Sequence, residues 1–418
     1  MHPSLAALRR RCFSVLRSAR PHIRKSVSVR CGSGGSVEIE SVKSHKPPSQ
    51  AREPGANARS SLYNVDEFSP TNLLIVHLPP LPQSPSGAKQ LLPAFLHDWP
   101  VASINYRWKS EPSHAASRED EPLASFDWPT PLHDVAFAYQ WVTQALAPPN
   151  NGRGGIYVYG SHLGAGLAMS LSLTESHSHK RFSVRGIAAY NGIYNWTTFL
   201  PGHEMNRIKT VRDARRALRR ANGNLRLESL HQRLMSLFRE PCDLFDPFAS
   251  PSLFFHNPGL SIPQSFYECT EFAGIVRAMQ GRKRDAVAAS ATPRKSYLVF
   301  PPRASTLKIP ETMLLHDAPS GLPLHKAKSG RTDGASKYRH KGHTFKAQAD
   351  EIASFMRRSI TLFEIKERAK WDEDAHFLTE EPRRRIQVVE VGQERDELDL
   401  NELGQQAIVD WLDGGKSG

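Results

Sequence analysis

Residues 156–168 read Ile-Tyr-Val-Tyr-Gly-Ser-His-Leu-Gly-Ala-Gly-Leu-Ala. A strand-like run meets a frame of glycine, two residues on either side of a turn, and glycine, and an apolar helix follows. Such a frame makes a sharp strand-to-helix bend, and its glycines let the backbone turn without clashes. A serine at the centre would be a nucleophile for acyl transfer. The centre here is His162, and Ser161 stands one position early. A one-residue slip at a tight bend aims a side chain elsewhere, so Ser161 is a poor substitute. An imidazole at the centre is read as a local hydrogen-bonding group at the end of a sheet or as a ligand contact. A histidine nucleophile for phosphoryl transfer has no accompanying phosphate motif.

Three more groups bear on the same chemistry. His77-Leu78-Pro79-Pro80 follows the apolar run Leu73–Val76, and Asp317 follows the run Thr312–His316. His376 stands in Ala375-His376-Phe377, upstream of the β-branched run Ile386–Val391. It is placed to act as a base only if Thr361–Ile365 is the last strand. The preferred last strand is Ile386–Val391, after which 392–398 hold no histidine.

In order and spacing these stretches resemble the α/β-hydrolase fold, in its hormone-sensitive-lipase-like branch of esterases. Tyr106-Arg107-Trp108-Lys109-Ser110-Glu111 and the helix from Asp134 through Trp141 carry the resemblance together with the glycine frame. It covers residues 70–200 well and 245–412 weakly. The resemblance implies a nucleophile at position 162, an acid near Asp317, and a histidine after the last strand. It also implies an oxyanion hole from backbone N–H groups at His77, Leu78 and their neighbours, with Leu163 as the further donor. The chemistry departs at each place. His162 replaces the serine, proline has no N–H to offer at Pro79 and Pro80, and the base is missing unless His376 serves. Losing one oxyanion donor costs about 3 kcal/mol of transition-state stabilisation.

The elements that must position these groups alternate at βαβ spacing, which predicts a mostly parallel central sheet flanked by helices. Strands are expected at Leu73–His77, Val101–Tyr106, Ile156–Tyr159, Gly186–Tyr190, Thr312–His316 and Ile386–Val391. Helices are expected over 88–97, Leu132–Ala145, Leu163–Leu173, Ala347–Arg358 and Leu403–Leu412. A hairpin with a glycine-rich turn is expected over 26–42. The chain divides into a basic leader (1–25), the first part of the sheet domain (26–199), a helical cap or insertion (200–305) and the rest of the sheet domain (306–418).

Composition narrows the classes. In 418 residues, 39% are hydrophobic and 23% charged, which excludes a wholly disordered chain. No apolar run is long enough to span a bilayer. Cys12, Cys31, Cys242 and Cys269 make neither a disulfide framework nor a CxxC site, so no metal and no cofactor is expected. The net charge of +13 is concentrated. Residues 1–25 contribute +7 and 207–239 contribute +8, leaving the remainder near −2. Leu5, Leu8, Cys12 and Leu16 share a helical stripe in an acid-free, arginine-rich leader, as in a mitochondrial presequence. The second basic segment has no interleaved aromatics for stacking on bases, so no specific nucleic-acid partner is expected.

Three functions stay open: a non-catalytic hydrolase-fold protein that binds a small acyl-type ligand or a protein partner; an active esterase with a displaced site at Ser161, Asp317 and His376; and a basic protein for RNA or anionic membrane.

Overall fold

The fold is taken from a computed structural model, which describes residues 24–30, 36–42, 59–63, 73–81, 92–108, 127–148, 155–200, 203, 224–238, 240–258, 297–319, 343–372 and 378–414. Nine strands form one sheet: β1 (Arg24–Arg30), β2 (Ser36–Val42), β3 (Arg59–Tyr63), β4 (Leu74–Leu78), β5 (Val101–Asn105), β6 (Ile156–Ser161), β7 (Val184–Tyr190), β8 (Glu311–Ala318) and β9 (Ile386–Gln393). Their order is β1-β2-β3-β5-β4-β6-β7-β8-β9. From β5 to β9 every neighbouring pair is parallel. β3 joins β5 antiparallel, and β1 and β2 form the expected antiparallel hairpin.

Apolar runs explain the central strands. Every residue of β4 and of β6 is buried, as a parallel strand covered on both faces requires. One face carries α1 (Thr130–Ala145), α2 (Leu163–Glu175) and α4 (Phe345–Ser359), which pack Val135, Leu167 and Ile352 against Leu74, Val76 and Val158. The other face carries α5 (Glu402–Gly414), whose Ile408 and Leu412 meet Ile75, Tyr157 and Leu315. This is the doubly covered, mostly parallel sheet of the α/β-hydrolase fold. The chain moves outward from β4 to β5 and then crosses back to β6. Its direction therefore reverses between β4 and β6, and the carboxyl ends of these strands flank the crevice where open α/β sheets bind ligands.

Two expectations need amendment. A helix over 88–97 is reduced, among the described residues, to a 3₁₀ turn at Ala94–Leu96, because Pro93 removes a helical donor and sets the turn's start. Thr361–Ile365 is helical and not a strand: it is part of a π-helical stretch, Ile360–Ile365, that prolongs α4. The last strand is therefore β9. Within 200–305 the described helical parts are α3 (Leu225–Gln232), Leu234–Leu237 and the turns Pro241–Phe245 and Pro251–Phe254. Residues 1–23 of the leader and residues 207–223 of the basic segment lie outside the described residues, and Arg24 and Lys25 open β1.

Candidate functional site

The elbow forms where the glycine frame places it. His162 sits between β6 and α2 with φ 51° and ψ −114°, one of two non-glycine residues with positive φ among those described. Such a conformation costs on the order of 1–3 kcal/mol and persists only where its surroundings enforce it. The enforcement is visible. The His162 N–H donates to the Tyr190 carbonyl at 2.8 Å, and its own carbonyl accepts from Ala165 at 3.2 Å. A β-carbon at Gly164 would lie 2.3 Å from the Pro79 carbonyl oxygen and 2.4 Å from that of Leu78. Glycine at 164 is thus what lets α2 press against the end of β4.

The imidazole at the elbow is 3% exposed. It meets Tyr190 edge-on at 5.4 Å and Phe345 edge-on at 6.0 Å. Neither ring nitrogen has a hydrogen-bond partner among the described residues. Burial, with the charge of Arg226 as the lesser cause, pushes its pKa down to about 3, so the ring is neutral. A buried polar atom without a partner costs about 1–3 kcal/mol.

Ser161, one position before the centre of the elbow, closes β6. It is buried, and its hydroxyl partners Tyr159. Because both nitrogens of His162 are unpartnered, no serine–histidine hydrogen bond exists between these neighbours.

The three positions expected to serve an oxyanion hole are His77, Leu78 and Leu163. His77 lies inside β4, where its Nδ1 meets Ser103 Oγ at 2.9 Å and its ring stacks on Tyr159 at 5.7 Å. Burial drives its pKa to about 3. Leu78 turns its carbonyl, not a donor, toward Gly164. The Leu163 N–H, which the sequence left as the remaining donor, donates to the Pro80 carbonyl at 3.3 Å. Carbonyls of the His-Leu-Pro-Pro run thus crowd the place where an oxyanion would need N–H groups, and the Tyr106 hydroxyl fixes the run by donating to Pro79 O at 2.8 Å.

Asp317 lies near the carboxyl end of β8. Its Oδ2 accepts from the Tyr190 hydroxyl at 2.7 Å and from Asn191 Nδ2 at 2.8 Å. The Asp317 N–H returns a bond to Asn191 Oδ1 at 2.9 Å. Burial raises its pKa, against the lowering effect of these bonds. No described histidine bonds this carboxylate, and its bonds to Tyr190 and Asn191 tie β8 to the end of β7. His376 lies outside the described residues. After β9 the place of a base belongs to Glu394, whose carboxylate accepts from the N–H groups of Leu225 and Arg226 at 2.8 and 2.9 Å and so caps α3.

Residues that the sequence did not single out complete the site. His316, next to Asp317, is 1% exposed with both ring nitrogens unpartnered among the described residues, and burial lowers its pKa. Asn191 takes the second positive φ, 49°, a conformation asparagine tolerates, so its position directly after a strand was a usable signal. Asn224, 1% exposed, accepts from the Phe345 N–H at 3.2 Å and reaches the Asp317 carbonyl and Glu394 at 3.5 Å. No grouping of three or more His, Cys, Asp or Glu side chains suited to a metal occurs among the described residues.

No protein-family profile matches the chain, and no curated protein matches it. Solved structures do. EstE1, a thermophilic carboxylesterase cloned from a metagenomic library, is 17% identical over 55% of this chain with a TM-score of 0.33, and the match spans 64% of that enzyme, under two thirds of its length. A carboxyl esterase of Tuber melanosporum is 12% identical over 96% of this chain and 88% of its own, with a TM-score of 0.40. An esterase of Pyrobaculum calidifontis is 12% identical over 94% and 84%, with a TM-score of 0.42. At these levels the matches say nothing about activity. The fold rests on the chain's own strand order and elbow.

Proposed function

We propose that this protein uses an α/β-hydrolase fold without serine-esterase chemistry and acts as a binding module at the carboxyl end of its sheet. The observation that carries the reading is the elbow. Position 162 keeps the strained backbone of a nucleophile but holds a neutral, buried imidazole, and the adjacent Leu163 N–H is already spent on Pro80 O. Acyl transfer needs nucleophile, base and oxyanion donors together, and core packing needs none of them. Costly features retained without that chemistry, the positive φ and the unpartnered ring nitrogens, favour a retained role in contacting a small acyl-type molecule or a partner protein at this crevice.

The test is turnover of p-nitrophenyl acetate and butyrate by purified protein. The expected result is a rate indistinguishable from that of Ser161→Ala, with His162→Ser also at background, because a restored hydroxyl still lacks base and oxyanion donors. Saturable turnover lost in Ser161→Ala would sink the proposal. For the leader, residues 1–25, we propose mitochondrial targeting. A fusion of these residues to a fluorescent protein that stays diffuse in cells would reject it.

A further inference from the structure

Four of the large apolar side chains exposed among the described residues stand along one helix. Tyr297, Leu298 and Val299 are exposed in succession, and Trp371 is 89% exposed. The run of three is held in place. The Leu298 N–H donates to the Phe255 carbonyl at 2.8 Å, and Tyr297 bridges to His256. The Tyr297 ring meets Phe355 of α4 edge-on at 6.2 Å. Phe300, buried directly after the run, packs on Phe254 and Phe255 at 4.9 and 5.1 Å, and its carbonyl accepts from the Ser359 hydroxyl. The segment then follows the helix toward its carboxyl end, where the charge of Arg303 acts on Glu367. Trp371 stands one helical turn beyond Glu367.

The charges around this ledge are mostly of one sign. Arg303, Arg358, Lys366, Arg368 and Lys370 are all exposed. The acids of α4 and its continuation each have a partner: Asp350 with Lys346 at 3.7 Å, Glu351 with His256 at 3.5 Å and Glu364 with Arg385 at 2.6 Å. Glu367 meets Lys370 at 2.6 Å and Asp372 meets Arg368 at 2.8 Å, which leaves Arg303, Arg358 and Lys366 in surplus. Arg358 lies 4.0 Å from the centroid of the Tyr297 ring, so a cation sits directly on the apolar ledge.

We propose that this ledge docks on an anionic lipid surface, with Tyr297, Leu298, Val299 and Trp371 entering the headgroup–acyl boundary and Arg303, Arg358 and Lys366 meeting the headgroups. Charge complementarity selects this partner. An anionic leaflet attracts cations that lie close to it, aromatic rings settle at the headgroup level, and aliphatic side chains reach the acyl boundary. The core of a protein interface is instead depleted of charge and of lysine. A single-stranded nucleic acid asks for aromatic platforms, and Leu298 and Val299 offer none. No described helix is long and apolar enough to cross a bilayer, and the ledge lies on the surface of the fold. This face is separate from the crevice: it adjoins the Arg385–Glu364 pair, whereas His162 stands at the carboxyl end of the sheet. It does not need the binding reading given above.

The full chain is tested with vesicles of phosphatidylcholine alone or with about 30% phosphatidylserine. The basic stretches 1–25 and 207–239 attract anionic vesicles by themselves, so the deciding readout is local. Trp371 emission is obtained as the difference between wild type and Trp371→Phe. With phosphatidylserine present it is expected to shift to the blue and to be quenched by doxyl-labelled phosphatidylcholine, and with phosphatidylcholine alone to do neither. The lipid concentration at the midpoint of that shift is expected to rise about 5-fold for each of Arg303→Gln and Lys366→Gln. It is expected to rise about 10-fold for the double variant Leu298→Ser/Val299→Ser. All four side chains are exposed, and thermal unfolding near the wild-type temperature checks that each variant is folded. Vesicle binding that leaves Trp371 unquenched, or a midpoint unmoved in Leu298→Ser/Val299→Ser, would overturn the proposal. Trp371 emission that responds to RNA and not to vesicles would assign the face to nucleic acid and overturn it as well.

Discussion

The two ends of the central sheet solve the problem of polar groups in opposite ways. At the amino end, around the starts of β8 and β9, the charges lie near water and are paired. Arg384 meets Glu381 at 2.7 Å and Glu311 at 3.9 Å, and Arg385 meets Glu364 at 2.6 Å and Glu381 at 3.2 Å. At the carboxyl end, His77, His162 and His316 are each at most 3% exposed, and each has at least one ring nitrogen without a partner among the described residues. The first arrangement is inexpensive and contributes little. The second is costly, and it surrounds the crevice at the reversal of strand order. The difference is in keeping with the proposed binding role of the carboxyl end, because uncompensated desolvation is tolerated where something other than stability is selected.

Acid separates the two ends most strongly. His77 and His162 titrate near 6.5 when unfolded and near 3 when folded. Above the unfolded value both states are neutral and pH has no effect through these groups. Below it the unfolded chain takes up protons that the folded chain refuses, so stability falls until the pH reaches the folded value. At about pH 5 each ring costs about 2 kcal/mol, or about 4 kcal/mol for the pair if they act independently. Urea denaturation of wild type and of His77→Asn/His162→Asn at about pH 7.5 and about pH 5 measures this. The double variant is expected to lose most of the pH dependence. An unchanged slope would show that the carboxyl end is not where acid acts.

A second contrast lies within the carboxyl end. Both bonds to the Asp317 side chain fall on one oxygen, Oδ2. Asparagine can present a carbonyl oxygen there, keep both bonds and remove a charge whose burial is unfavourable. Asp317→Asn is therefore expected to change stability by less than about 1 kcal/mol. Asp317→Ala leaves the Tyr190 hydroxyl and the Asn191 amide without their acceptor in a buried place and is expected to cost about 3 kcal/mol. Thermal and denaturant unfolding of the two variants decide it. Equal losses would mean that the carboxylate charge itself matters and that Asp317 has a role beyond joining β7 to β8.

The sequence displayed what depends on local spacing and concealed what depends on distant partners. Continuous apolar runs gave β4 to β8 to within a few residues because both faces of these strands are covered, and the β-branched run Ile386–Val391 gave the half-exposed edge strand β9. The glycine frame placed His162 at the elbow because the turn needs Gly160 and Gly164 whatever stands between them. By contrast, the fate of the Leu163 N–H depends on Pro80, 83 residues earlier in the chain, and no local pattern announces that bond. Glu394 looked like one more acid in a charged loop, yet it caps a helix about 170 residues upstream. Asp317 was visible as an acid after a strand. Its use as a tie to Tyr190 and Asn191 became visible only when β7 and β8 were seen side by side.

The smallest expected effect tests the other half of the contrast. Arg384 makes two hydrogen bonds to Glu381, at 2.7 and 2.9 Å, and these are the leading cause of the lowered Glu381 pKa. Short distances alone suggest a strong interaction. The Arg384 side chain, however, is 64% exposed. Water screens the attraction, and fixing a long side chain costs entropy, so the pair contributes about 0–1 kcal/mol. Arg385 also holds Glu381, so removing Arg384 does not strand that carboxylate. Arg384→Ala is therefore expected to lower stability by less than about 1 kcal/mol, with the loss shrinking further as salt rises toward about 1 M. Chemical denaturation in urea at low and high salt measures both quantities. A loss above about 2 kcal/mol that ignores salt would show that the charges at the amino end act as a buried network, and the contrast between the two ends would fail.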